Sequence, residues 1–371
     1  MKKVCYFTTK VSTDIRIFEK ECTSLAKAGY SVYLISPNAI TEVRNGVNIT
    51  GVKFLHKSTF ARLFILPYKL YQKAVSLNAD IYHFNEPSAL HFGLLLKLKK
   101  KKVIFDSFED HPTLILEHKK LPLFVMKLIS RIYEKYEYFI CRYFDAIISC
   151  YHWTQERLEK ACSNNALIFN FPIIKAEQLN VVPKTDIDEN SICYAGLFSE
   201  MWNIDKILTA LTEVENVRFN LAGHGSEQII NQYKLNKGWS KVNYFGKLNH
   251  SEVYNTIYAK SSIGMALLDY IPLCKGNVGN MSNNKFFEYL LAGLPIICTD
   301  FILWQEVVKQ HNCGICVNPR NQKEIISAIT YLTENPTIAR EMGSNGRKLV
   351  LEKFNWHMEE QKLLNVYKRL L

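Results

Sequence analysis

Asn283-Asn284-Lys285-Phe286-Phe287-Glu288-Tyr289-Leu290-Leu291-Ala292-Gly293-Leu294-Pro295 reads as one amphipathic helix with both ends marked. Asn283 or Asn284 can cap the start, because a short side-chain carbonyl accepts from the first unpaired backbone N–H groups. Gly293 and Pro295 stop the helix, glycine by turning left-handed and proline by lacking an N–H. Phe286/Leu290 and Phe287/Leu291 are i,i+4 pairs that form the stripe expected to be buried. Lys285 and Glu288 share the remaining face near the N-terminus. A helix start favours anions through its amides and its dipole, so a lysine there suits a diphosphate. The carboxylate one turn later can accept hydrogen bonds from ribose hydroxyls. The same spacing fits a plain i,i+3 surface ion pair equally well.

Outward from this helix, short β-rich runs alternate with helix-length amphipathic stretches, the pattern of parallel α/β folds. Before residue 170 strands are expected at Lys3–Thr8, Ser31–Ser36, Val47–Val52, Ile81–Phe84, Lys102–Asp106 and Ala146–Cys150. A helix Ile15–Ala28 between the first two ends at Gly29. A second alternation runs through strands Ser191–Ala195, Val217–Ala222, Val242–Phe245, Ile263–Leu267 and Ile296–Thr299. Its helices are expected at Ile204–Val214, Ser226–Lys234, Ser251–Ala259 and Asn284–Ala292, with two more at the end of the chain. The polar, proline-containing run between the two alternations is the expected linker. Ligands in such sheets sit beyond the carboxyl ends of the strands.

Composition sets the class. The 371 residues, 48% hydrophobic and 22% charged, suit a globular chain of two domains. No apolar run approaches the ~18–20 residues that span a bilayer. Met1-Lys2-Lys3 precedes an apolar run too short for a signal-peptide core, which is expected to be a first buried strand. The 10 cysteines are scattered without a secreted-style framework, so a cytoplasmic location is expected. Cys313-Gly314-Ile315-Cys316 has zinc-ligand spacing, but it lies in a strand-like run with no second pair nearby.

The net charge of +11 is lopsided: residues 1–180 hold 26 Lys/Arg against 16 Asp/Glu, and residues 181–371 hold 20 against 19. No nucleic-acid motif accompanies it, and nucleic acid is not an expected partner. Basic residues are interleaved with large apolar ones at Phe60–Lys73 and Leu121–Arg142, the latter including Lys127, Arg131 and Lys135. That mixture fits an anionic membrane surface; an ordinary solvated helix face is the alternative.

Asn284-Lys285-Phe286-Phe287-Glu288-Tyr289, followed by Ala292-Gly293-Leu294-Pro295, resembles the donor-site signature of family-4-type retaining glycosyltransferases of the GT-B fold. Asp14-Ile15-Arg16, Lys102 to Ser107, Tyr194-Ala195-Gly196, Gly223-His224-Gly225, Tyr244 to Leu248 and Met342 to Trp356 agree in order. The resemblance implies two facing Rossmann-like domains with a cleft between them. Residues 1–172 would form the acceptor-side domain, 173–190 the linker and 191–354 the nucleotide-sugar domain. A last helix, 355–371, would return to the first domain.

Carried over residue by residue, the resemblance puts Lys285 on the diphosphate and Glu288 on the ribose, with Asn284 beside them. Gly223 and Gly225 would let backbone approach the nucleotide, and Lys247 and Leu248 would lie near the base or phosphates. It implies transfer with retention from a nucleotide-sugar donor to a glycan or lipid-linked acceptor, in cell-surface polysaccharide synthesis. The nucleotide-sugar is a substrate; no cofactor and no metal are expected.

The chain departs from the family pattern at three places. Asn280 stands where a second carboxylate is usual, and its amide could still bond sugar hydroxyls. Trp202-Asn203 replaces a basic residue, for which Lys206 is the candidate substitute. Phe108 interrupts a motif whose histidine role would pass to His111, so Glu109 and His111 join Asn280 as catalytic candidates. His83-Phe84-Asn85-Glu86 is also expected to point at the cleft. Asp186-Ile187-Asp188 has metal-binding spacing but sits in the polar linker without a strand before it. A sugar-nucleotide 2-epimerase and a non-catalytic nucleotide-sugar-binding relative are the competing readings.

Overall fold

The computed structural model describes residues 1–117, 121–175, 178 and 190–370. They fall into two compact units, Met1–Asn170 with Trp356–Leu371, and Phe171–Asn355. Most of the 173–190 linker, with Asp186 and Asp188, lies outside the described residues.

The first unit is built on eight strands: β1 (Lys3–Phe7), β2 (Ser31–Pro37), β3 (Glu42–Arg44), β4 (Val47–Val52), β5 (Ile81–Phe84), β6 (Lys102–Ser107), β7 (Ala146–Ser149) and β8 (Asn165–Leu167). Their order is β3-β4-β2-β1-β5-β6-β7-β8, and every pairing is parallel except β3 with β4. Central strands such as β5 and β7 are buried at every position, as helices on both faces of a parallel sheet require. Helices α1 (Thr23–Lys27), α2 (Leu66–Ser76), α3 (Leu90–Leu98), α4 (His111–Glu117), α5 (Leu123–Cys141) and α6 (His152–Leu158) belong to this unit. The first helix opens as a wider π-wound segment, Ile15–Cys22, before α1, and Gly29 at φ +90° ends it.

The second unit carries β9 (Ser191–Leu197), β10 (Arg218–His224), β11 (Val242–Tyr244), β12 (Ile263–Ala266), β13 (Ile296–Thr299) and β14 (Gly314–Val317), all parallel, in the order β11-β10-β9-β12-β13-β14. Its helices are α7 (Ile204–Leu211), α8 (Glu227–Leu235), α9 (His250–Thr256), α10 (Asn284–Leu291), α11 (Ile302–His311), α12 (Gln322–Glu334) and α13 (Pro336–Glu352). The strand order reverses between β9 and β12 here, and between β1 and β5 in the first unit. These are the switch points beyond whose carboxyl ends ligands bind.

Two stretches differ from the sequence reading. The helix expected at Ser251–Ala259 is two pieces, α9 and a 3₁₀ turn Tyr258–Lys260. The chain after β13 holds more than two helices. Asn312, left-handed at φ 44°, ends α11 before β14, and the Asn335-Pro336 step separates α12 from α13. The last helix, α14 (Trp356–Lys368), belongs to the first unit. There Trp356 Nε1 donates to Ser24 Oγ at 3.0 Å, and Glu359 accepts from the Phe169 amide at 2.8 Å.

Candidate functional site

In the second unit the site grows from the start of α10. Asn283, not Asn284, is the cap: its Oδ1 accepts from the amides of Lys285 at 3.1 Å and Phe286 at 3.5 Å. Those two amides are therefore already bonded, and fewer remain for an anion than the bare helix start promised. Asn284 Oδ1 is buried and makes no hydrogen bond. An orphaned buried acceptor is costly unless a ligand completes it. Phe286, Phe287, Leu290 and Leu291 form the buried stripe, each contributing about 1.5–3 kcal/mol of apolar burial.

That packing sends the Lys285 side chain toward the carboxyl end of β9. A Cβ on Gly196 would come within 2.4 Å of Lys285 Cε, so the glycine leaves the channel that the lysine occupies. Its ammonium lies 4.1 Å from the Trp202 ring centroid and 5.4 Å from that of Tyr194. Burial lowers its pKa to about 8, against the opposing pull of Glu288. A poorly hydrated ammonium between aromatic rings is well suited to an incoming anion.

Glu288 is 16% exposed and held on both oxygens. His250 Nε2 lies 2.8 Å from Oε1, and the Tyr258 hydroxyl donates to Oε2 at 3.1 Å. Neither residue was picked out from the sequence. The legible signal was the Asn249-to-Glu252 spacing, a capping box that puts His250 at the first position of α9.

The other donor-side candidates fare differently. Gly223 pairs with Gly196 across the strands, and a Cβ on it would fall 1.9 Å from the Gly196 carbonyl oxygen. A Cβ on Gly225 would meet Phe198 and Ile229. Protein packing alone thus requires both glycines. Exposed Lys247 and half-buried Leu248 lie in the loop that leads from β11 to His250. Lys206, the candidate substitute for the missing base, donates its ammonium to the Pro319 carbonyl at 3.0 Å. Trp202 itself is what meets Lys285. Asn280 is buried, with its Oδ1 accepting from the Ser282 amide at 3.2 Å and its Nδ2 on Cys274 Sγ at 3.5 Å. Its amide ties together the loop before α10.

In the first unit, Glu109 pairs with Lys10 at 3.4 Å beyond the ends of β1 and β6. His111 opens α4 against Tyr133, and burial lowers its pKa to about 4, which disfavours its protonated form near pH 7. Phe108 lies beneath two cations, Lys10 and Arg16, each 5.6 Å from its ring centroid. His83, expected to face a ligand, is instead fully buried: Nδ1 lies 2.8 Å from the Tyr367 hydroxyl and burial lowers its pKa to about 3.

Glu21, His83 and Asp106 offer ligand-type atoms within 4.8 Å of one another. The Arg16 guanidinium already lies among them, 3.0 Å from Glu21 and 3.2 Å from Asp106. Burial raises the Glu21 pKa well above its ordinary value, and the Arg16 guanidinium already faces both carboxyl groups. A second positive charge fits poorly there.

Residues 177–349 match the family described as Glycosyl transferases group 1, and residues 19–168 match Glycosyltransferase Family 4. No curated protein matches the chain. Among solved structures, sucrose-phosphate synthase from Thermosynechococcus elongatus is 16% identical with a TM-score of 0.72, covering 100% of this chain and 99% of its own. Anabaena HepE, in complex with UDP and glucose, is 11% identical with a TM-score of 0.70 over 99% of this chain and 100% of its own. WaaG, a glycosyltransferase involved in lipopolysaccharide biosynthesis, is 12% identical with a TM-score of 0.68 over 99% of each. At these identities the likeness is one of fold.

Proposed function

The chain belongs to the group 1 and family 4 glycosyltransferases of the GT-B fold, and from that premise we propose a metal-independent, retaining transfer from a nucleotide-sugar to a glycan or lipid-linked acceptor in cell-surface polysaccharide synthesis. The second unit is the donor domain in this reading and the first the acceptor side. The observation that carries the donor site is the placement of Lys285. One partly desolvated ammonium, on the residue after Asn284 with its orphaned side-chain carbonyl, sits at a helix start beside Trp202 and the strand-end glycine Gly196 of β9. There it would neutralise the leaving diphosphate, which is an electrostatic role, while Glu288 holds the ribose. UDP is the first nucleotide to try, since HepE was solved with it.

No helix among the described residues is long and apolar enough to cross a membrane. Attachment to the cytoplasmic face of one is supported by α5. This helix exposes Leu123, Phe124, Leu128, Ile132 and Phe139, with Lys127, Arg131 and Lys135 between them. A merely solvated face would not leave so many large apolar groups in water.

Incubating the protein with a panel of nucleotide-sugars tests the reading. Slow donor hydrolysis with release of the nucleoside diphosphate is expected. A C2-epimerised sugar, or binding without turnover, would replace it with one of the competing readings.

A further inference from the structure

Glu288 is anchored more firmly than its burial requires. A carboxylate that is 16% exposed keeps contact with water, yet each of its oxygens has a protein donor. Both donors come from the single connection between β11 and β12: His250 at the start of α9, and Tyr258 in the turn after it. Tyr258 cannot swing away, because it is 4% exposed and its ring meets Tyr289 edge-on at 5.1 Å. His250 is fixed through the backbone of the capping box, in which Asn249 and Glu252 bond reciprocally.

An ionised carboxylate offers about four lone-pair directions. With one on each oxygen directed to His250 and Tyr258, rotation about the last side-chain bond is blocked and the carboxylate plane is set. Two vicinal hydroxyls can then be accepted at once, one per oxygen; an unanchored carboxylate would adapt to a single hydroxyl nearly as well. Resting on the donor-site reading above, we infer that Tyr258 and His250 are positioning residues that make Glu288 selective for a ribonucleotide over its 2′-deoxy counterpart.

Calorimetric titration of the full chain with UDP, GDP and their 2′-deoxy forms tests this. The unmodified protein is expected to prefer the better-bound ribonucleotide over its deoxy form by about tenfold or more, the worth of one hydrogen bond to a charged acceptor. Tyr258→Phe and His250→Ala should each reduce that preference several-fold while leaving affinity for the deoxy form nearly unchanged. His250→Gln, which keeps a donor, should restore it. His250 is 51% exposed, so its variants remain informative should Tyr258→Phe fold poorly. A preference that survives both Tyr258→Phe and His250→Ala overturns the positioning role and leaves the donor site standing. Absence of any preference in the unmodified protein, with Glu288→Gln silent, overturns the ribose contact itself and the inference with it.

Discussion

The ammonium of Lys285 rests 4.1 Å from the centre of the Trp202 ring. In the proposed donor site this lysine meets the diphosphate, with an aromatic ring beside it. Lys285→Ala is accordingly expected to weaken binding of a nucleoside diphosphate by ~1.5–3 kcal/mol and to leave the bare nucleoside nearly unaffected. Calorimetry with UDP and uridine measures both; equal losses would remove Lys285 from the phosphate site.

The lowered pKa of that lysine predicts a pH dependence. Its charged form is the one that attracts phosphate, so affinity for the diphosphate should hold below pH 8 and fall as pH rises through about 8. Binding near that pH should take up a proton, visible as a buffer-dependent heat. The stability effect has the opposite direction. The unfolded lysine keeps its proton to near its ordinary value of 10.5, so the cost of burying the charge is fully present below pH 8 and relieved between about 8 and 10.5. Lys285→Ala should abolish both trends.

Glu288→Ala should lower nucleotide affinity by ~1.5–3 kcal/mol without unfolding the protein, since the side chain reaches solvent and lies off the buried stripe of α10. Unchanged affinity, with an unchanged melting curve as the control, would rule out the ribose contact.

Chelator should leave donor hydrolysis intact. The carboxyl and imidazole cluster of Glu21, His83 and Asp106 already contains the Arg16 guanidinium. Loss of activity on adding EDTA, restored by manganese or magnesium, would contradict the metal-independent reading.

Anionic vesicles should sediment the protein, neutral ones much less, and salt should release most of it. Each Lys or Arg near an anionic bilayer is worth about 1 kcal/mol, and the field reaches only ~8 Å at physiological salt. Reversing the charges at Lys127, Arg131 and Lys135 should reduce binding and leave hydrolysis of a soluble donor unchanged. Equal sedimentation with neutral and anionic vesicles would leave the exposed apolar face of α5 without this partner.

The two-sheet α/β architecture and the α10 helix were legible because their signals are local: short buried runs alternating with amphipathic stretches, and an i,i+4 apolar stripe between marked ends. Lys285 and Glu288 lie on the same helix, so their shared face also followed from spacing. Spacing alone could not say where a side chain would point or what would meet it. For Asn280 and Lys206 the tertiary structure supplies the partners that spacing leaves open, the Ser282 amide for one and the Pro319 carbonyl for the other. The ring of Trp202, visible in sequence only as the absence of a base, reaches Lys285 because β9 and α10 pack through Gly196. His250 and Tyr258 meet Glu288 across long separations in sequence. Periodicity and capping are decided within a few residues, whereas the partners of a polar group depend on which distant strands and helices the buried core draws together.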